Sequence, residues 1–323
     1  MKVILNKNTN YDFEKLDSEL FLIVGEDKVT AEHIVTKPYS YWKSVFLKVF
    51  KNPAFLISLV LIILIIICSM TIALGQYAIP TYPDGPINQA PSSEHWFGIG
   101  KMGEDLWNKT WIATRTTLLF TVIIVLIQIV LGIIIGSIWG YNTRFDIAFI
   151  EAIRFISIIP QLVLWLFIIF LFSGNRGMWV AVLAVSITNW IGLASLIRFQ
   201  ILLNKSKEFN IASKVLGSKG GKIIRKNILP SILPIIVQSI AFSIPAAIGI
   251  DSSLAYLGFG FVSVSDAKSA SLGSMLTDLL SGSDWQIAPH LLIVPVVFIG
   301  GLSLVFYIVG KIFADSLDPK NHR

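Results

Sequence analysis

The chain has 323 residues, 54% of them hydrophobic and only 14% charged, with a net charge of +6 and a mean hydropathy of +0.72. Soluble domains carry about 25% charged residues, so a soluble fold is excluded, and disorder and collagen-like repeats go with it. The single cysteine, Cys68, excludes an intramolecular disulfide and any multi-cysteine metal site. Its place inside an apolar run predicts a small buried side chain.

Residues 1–38 are mixed in charge and form an N-terminal extension without a long apolar run. From Tyr39 to Asn52, Trp42, Val45, Phe46, Val49 and Phe50 recur at helical spacing beside Lys43, Lys48 and Lys51. That pattern fits a helix lying in the membrane interface, or simply the basic flank of the span that Pro53 begins. A helix needs about 20 residues to cross the hydrocarbon core. Six runs meet that need: Ala54 to Leu74, Thr116 to Gly140, Ile147 to Phe172, Met178 to Ile197, Ile232 to Ile250 and Ala288 to Gly310. The third is the least regular, because it crosses Glu151 and Arg154 and contains Pro160. Pro160, Pro234 and Pro245 free backbone carbonyls and favour bends. No repeat of fixed period occurs, so a solenoid is excluded.

Basic residues are retained on the cytoplasmic side of a membrane. The first tail, loops 141–155 and 198–231 and the last tail together hold 21 lysines and arginines, against five on the opposite side. This places both termini in the cytoplasm of a multi-pass membrane protein. The basic excess is therefore a topology signal and no argument for nucleic acid. On the outer side, loop 75–115 is long and proline-rich, and loop 262–287 is rich in Ser and Gly.

Loop 198–231 is the most informative stretch. Ser206 as N-cap, Glu208 in the first turn and Gly217 as the left-handed terminator predict a short helix over 206–216. Phe209, Ala212, Val215 and Leu216 share one face, while Ala212 and Ser213 are small enough for another surface to come close. Such a helix would pass motion between the membrane and a cytoplasmic partner; an ordinary interfacial helix has the same periodicity.

Glu208, Ala212, Gly217, Ile228 and Pro230 resemble the "EAA" loop of membrane permeases in ATP-binding-cassette importers, with Ser213 in place of the second Ala. The segment His95-Trp-Phe-Gly98 with Gly103-Glu-Asp105 and Arg115 is similar to the stretch that follows the first span in peptide-type permeases. There Gly100 stands for the usual Asp and Glu104 for the usual Arg. Leu254 to Gly260 resembles the family's "LSFLGLG", Leu272 to Leu276 its "WGxML", and Leu317-Asp318-Pro319 its terminal "LDP". The order is that of the C-type subunit of an oligopeptide or dipeptide importer. The resemblance implies an all-α membrane protein with six transmembrane helices. A type I importer permease core of five spans (116–313) would follow an N-terminal module (39–75) and precede a short tail (314–323). It further implies that Glu208, Phe209, Ala212, Ser213, Leu216 and Gly217 dock into an ATPase subunit. The implied partners are a paralogous permease, two ATP-binding subunits holding ATP and Mg, an extracytoplasmic substrate-binding lipoprotein, membrane lipid and a peptide substrate. Metal chelates and other small solutes also travel through permeases of this type. Loop 262–287 departs most from the family pattern, with Ser263 to Ser269 where a Pro-Pro segment is usual.

Other chemistry finds no motif. The nearest approach to a phosphate-binding loop, Gly217 to Ile223, has Leu216 and Ile223 at two obligatory positions of G-x-x-x-x-G-K-[ST]. His33, His95, His290 and His322 are far apart, and no G-x-S-x-G occurs. The chain is therefore expected to be no enzyme and to hold no cofactor of its own. Asp251, with Ser252 and Ser253, reads either as a polar group on the translocation path or outer gate, or as an interfacial carboxylate capping the two serines. A proton-coupled carrier is the rival class, but only Asp251 and Glu151 are available as relays.

Overall fold

A computed structural model of the chain describes residues 41–74, 81, 85–142, 144, 146–172, 177–262, 269–280 and 282–317. The extension 1–38, the divergent residues 263–268, and Asp318 and Pro319 lie outside the described residues. Among the described residues the structure is helical, with only isolated β-bridges at Thr81–Glu104 and Ile99–Asp105.

Helix α1 spans Tyr41–Lys51. Its apolar residues divide: Val45 and Val49 are buried, whereas Phe46 and Phe50 are half-exposed beside the exposed lysines. Asn52 then caps α2 (Pro53–Leu74), accepting from the Ala54 N–H at 2.9 Å. A cap of this kind contributes about 1 kcal/mol. Cys68, expected to be buried, is partly exposed at the edge of the packed face of α2, because this helix packs along only one side.

Helix α3 (Leu106–Tyr141) begins ten residues before the predicted span, capped by Asp105, which accepts from the Asn108 N–H at 3.2 Å. Its 36 residues rise about 54 Å, well beyond the hydrocarbon core of about 30 Å. The first turns therefore project from the membrane. Helices α6 (Met178–Lys205), α9 (Leu229–Tyr256) and α12 (His290–Leu317) are also longer than the runs predicted for them. Helix α6 continues two turns into the expected loop 198–231, and α12 continues into the expected tail.

The third run is where the structure departs from a simple span. It forms α4 (Asp146–Ser157) and α5 (Gln161–Leu171), bent by 77° at the break. Pro160 disfavours helical backbone at Ile159, and the N–H groups of Ile158 and Ile159 turn back to Phe155 and Ile156 in tight turns. Among the described residues, five helices are long and apolar enough to cross a membrane, and this bent pair makes six where it counts as one span. Pro234 and Pro245 do not break α9. The irregularity lies upstream, where α8 (Gly220–Ile223) runs into a π-helical turn at Ile224–Ile228. The remaining short helices are α7 (Glu208–Val215), α10 (Leu272–Leu280) and α11 (Asp284–Ile287).

Helix α3 is the hub. It packs most extensively on α6 and also touches α2, α9 and α10. Its outer stripe, Leu119, Val122, Leu126, Val130, Ile134 and Ile138, is exposed and apolar, as a lipid-facing or subunit-facing surface must be. Its inner stripe carries Gly132, Gly136 and Gly140. A Cβ at Gly136 would lie 2.7 Å from the Ala194 carbonyl oxygen, and one at Gly140 2.9 Å from the Arg198 Cα. This small-xxx-small spacing permits backbone contact where no hydrophobic effect drives helix association. Gly136→Ala is expected to lower the melting temperature of the detergent-extracted protein by forcing the pair apart, an overpacking cost of about 1–3 kcal/mol. Gly300→Ala, where a Cβ meets open space, should leave it unchanged.

Candidate functional site

The segment 206–217 forms a helix as expected, but it starts later. Ser206 is the C-cap of α6, its hydroxyl donating to the Leu203 carbonyl at 3.3 Å, and not the N-cap of α7. Helix α7 begins at Glu208 after Lys207, whose side chain makes no cap bond. The start moves because α6 keeps its own hydrogen-bond ladder to Lys205. Gly217 terminates α7 at φ 83°. The Ser218 N–H reaches the Ser213 carbonyl at 3.0 Å and the Gly217 N–H reaches that of Lys214 at 3.0 Å, the paired closure of a left-handed cap. A Cβ at Gly217 would meet nothing within 4 Å, so the backbone angle alone calls for glycine.

The predicted outer face is present. Glu208, Phe209, Ala212, Val215 and Leu216 are all exposed, with Val215 at 81% and Leu216 at 86%. Ile211 joins them at 50%. Exposed apolar side chains of this size on so short a helix form an apolar patch.

The inner face was not legible. Asn210 is buried, and its amide donates to the Asn204 carbonyl at 2.8 Å, in the last turn of α6. Its carbonyl accepts from the Asn227 amide at 3.1 Å, within the π-helical turn that leads into α9. Asn227 also donates to the Ser213 hydroxyl at 3.3 Å, so the hydroxyl found in place of the second Ala has a partner. The short helix is thus tied to two spans through one asparagine. Nearby, Arg198 grips Asp146 with both ends of its guanidinium, at 2.6 and 2.7 Å, and lies 4.9 Å over the Trp139 ring. Trp139 donates to the same carboxylate at 2.8 Å. These bonds hold the end of α3, the start of α4 and α6 two turns before its end together, and bidentate charged pairs of this kind resist reorientation.

Asp251 lies at the other end of α9 and has no exposed surface. It does not cap Ser252 or Ser253, whose hydroxyls donate to Ile248 and Gly249 in their own helix. Instead its carboxylate accepts from the Thr117 hydroxyl at 2.7 Å, the Ser271 hydroxyl at 2.9 Å and the Gly273 N–H at 3.3 Å. Thr117 in turn accepts from the Leu272 N–H at 3.0 Å. A Cβ at Gly273 would sit 2.6 Å from the Asp251 carbonyl oxygen. Asp251 and the start of the segment 272–276 therefore meet at one joint linking α3, α9 and α10, and the carboxylate is enclosed there. Ser253 is exposed on the opposite side.

Beyond this joint, the altered residues of the 95–105 segment compensate one another. The Glu104 carboxylate occupies the space that a side chain at Gly100 would fill. From there it pairs with buried Lys109 at 2.7 Å, and Lys109 also reaches Asp278 at 3.3 Å. Lys101 bridges to Asp284 at 3.1 Å and to the Asp278 carbonyl at 2.9 Å. His95 meets Asp105 at 2.8 Å.

Asp251→Ala would leave two hydroxyls and one N–H without acceptors, at about 1–3 kcal/mol for each unsatisfied group. It is expected to lower the melting temperature clearly, and Asp251→Asn much less. A normal melting temperature for Asp251→Ala, combined with altered transport, would instead place this carboxylate on the path.

Residues 128–323 match the family described as the binding-protein-dependent transport system inner membrane component, and residues 40–92 match the N-terminal TM domain of oligopeptide transport permease C. The oligopeptide transport system permease protein AmiD of Streptococcus pneumoniae is 32% identical over 320 residues, covering 95% of this chain and 99% of that one. The dipeptide transport system permease protein DppC of Bacillus subtilis is 30% identical over 96% of this chain and 95% of its own length. The oligopeptide transport system permease protein OppC of the same organism is 30% identical, over 95% and 99%. In fold, a chain of the inward-facing MetNI methionine ABC transporter aligns at TM-score 0.51 and 16% identity, over 64% of this chain and 97% of that chain. With one family matching well over half of its length, the chain belongs to the binding-protein-dependent transport inner membrane components.

Proposed function

We propose that this chain is the C-type permease subunit of an ATP-driven peptide importer in a bacterial plasma membrane. It pairs with a paralogous permease, so that each contributes half of the pathway. Two ATP-binding subunits sit beneath and hold the ATP and Mg. An extracytoplasmic lipoprotein delivers peptide from the other side. Both termini lie in the cytoplasm, on the strength of the 21-to-5 division of basic residues. Relatives that align along nearly the whole chain carry oligopeptide and dipeptide transport in their names.

The observation that carries this reading is the two-sided character of α7. Its outer face offers Phe209, Ile211, Val215 and Leu216 to a partner. Its inner face is bonded through Asn210 to α6 and to the turn before α9. A push on the outer face therefore reaches two spans without a flexible linker. In the proposed cycle, ATP binding closes the partner subunits and drives α7, which opens the pathway outward; hydrolysis and release return it.

Glu208→Lys and Gly217→Asp are expected to reach the membrane at normal level. Peptide uptake should fall about 5- to 150-fold, the range of a coupling free energy of about 1–3 kcal/mol. Uptake by the unaltered assembly should stop on ATP depletion and survive a protonophore. Normal uptake by both variants would contradict the role of α7, and the reverse energy dependence would make the protein a proton-coupled carrier.

A further inference from the structure

An open cavity of about 530 Å³ lies at the break between α4 and α5, where residues of α3, α6 and α9 also reach it. Its volume falls in the range of small-molecule sites, about 300–1,000 Å³. Thr188 and Asn189 lie ten and eleven residues into α6, about 15 Å along the axis and hence near the middle of a hydrocarbon core about 30 Å thick. At this depth, irregular backbone is tolerated only where it is covered by protein or lines a water-filled space. Ser157, Pro160 and Gln161, the residues of the break, line this cavity.

The polar lining is made of amides and hydroxyls. Gln128 donates to Ser243 at 2.9 Å and accepts from the Asn189 amide at 3.0 Å. Gln161 donates to the Thr188 hydroxyl at 3.1 Å, and that hydroxyl also accepts from the buried Trp165 indole at 2.8 Å. These bonds hold one amide–amide pair, Gln128 with Asn189, and one amide–hydroxyl pair, Gln161 with Thr188, and Ser157 and Ser239 also line the wall. Among the described residues, no charged side chain belongs to the lining. A row of amides presents donors and acceptors together, as does an extended peptide backbone. An uncharged wall has no preference between basic and acidic side chains.

We propose that this cavity is this chain's share of the peptide path, and that Gln128, Gln161, Thr188 and Asn189 contact the peptide through its backbone amides. The proposal rests on the peptide-importer reading and adds to it where the substrate passes and that side-chain charge is not selected there. The break at Pro160 borders the cavity, since Ser157, Ile159, Pro160 and Gln161 all line it.

The test uses the complete transporter in proteoliposomes, with peptides of one length that differ only in a central Lys, Ala or Glu. Gln161→Glu and Asn189→Asp are each expected to raise the uptake of the Lys peptide relative to the Glu peptide about fivefold or more over the unaltered assembly, since a carboxylate repels like charge strongly at a few ångströms. The ratio is independent of how much protein is present. An unchanged ratio in variants that still import overturns the cavity assignment alone. If both variants import nothing, Gln161→Cys in a Cys68→Ser chain decides. Covalent capture at position 161 of a peptide bearing a bromoacetyl group supports the proposal, and labelling by bromoacetamide without capture of the peptide overturns it. Failure of the unaltered assembly to import any of the peptides overturns the peptide reading itself.

Discussion

The close approach of α3 and α6 along Gly132, Gly136 and Gly140 is the contact on which the rest of the bundle depends. Lipid tails are as apolar as leucine, so two helices gain little from burying side chains against each other. What holds them is van der Waals packing at short range and the hydrogen bonds that short range allows. The glycine seam brings Gln128 within reach of Asn189 in the middle and Trp139 and Asp146 within reach of Arg198 at one end. At the other end the same helix α3 carries Thr117 to Asp251 and Lys109 to Asp278. One helix thus registers three layers of polar contact, and the spacing of α6 from α3 sets two of them.

These polar groups divide by what they leave open. Asp251 is enclosed by its three donors and behaves as a joint. The Lys109 group is likewise enclosed, and Glu104 there stands in for the carboxylate that Gly100 lacks. The amides around Gln161 and Asn189 are satisfied in part by one another yet border an open cavity. The contrast is physical: a buried polar group that is fully paired specifies packing, whereas one facing a water-filled space remains available to a passing solute. At the far end, α7 has a buried polar side and an exposed apolar side, the inverse of a helix that rests on its own core.

Charge and hydropathy made the spans readable, because a run of about 20 apolar residues has few alternatives. The termination of α7 at Gly217 and its outward Phe209, Val215 and Leu216 were readable from capping chemistry and spacing. Three features were not. The start of α7 shifted because Ser206 lies on a helix that did not stop at Ile197. Asp251 was read from its neighbours Ser252 and Ser253, while its partners come from positions 134, 20 and 22 residues away. Asn210 carries no sequence signal of its own, since its partners Asn204 and Asn227 are set by how α6 and α9 pack. The glycine seam did leave a signal, three glycines spaced by four on one apolar helix; periodicity judged by hydrophobicity alone passes over it.

The central claim is that Asn210 carries motion from α7 to both α6 and α9. It is tested most directly by the number of peptides imported per ATP hydrolysed in the reconstituted assembly carrying Asn210→Ala. The account predicts that ATP hydrolysis continues while peptide imported per ATP falls severalfold, because the outer face of α7 still meets its partner but its tie to the spans is cut. An unchanged ratio, with the variant assembled and active, would contradict it.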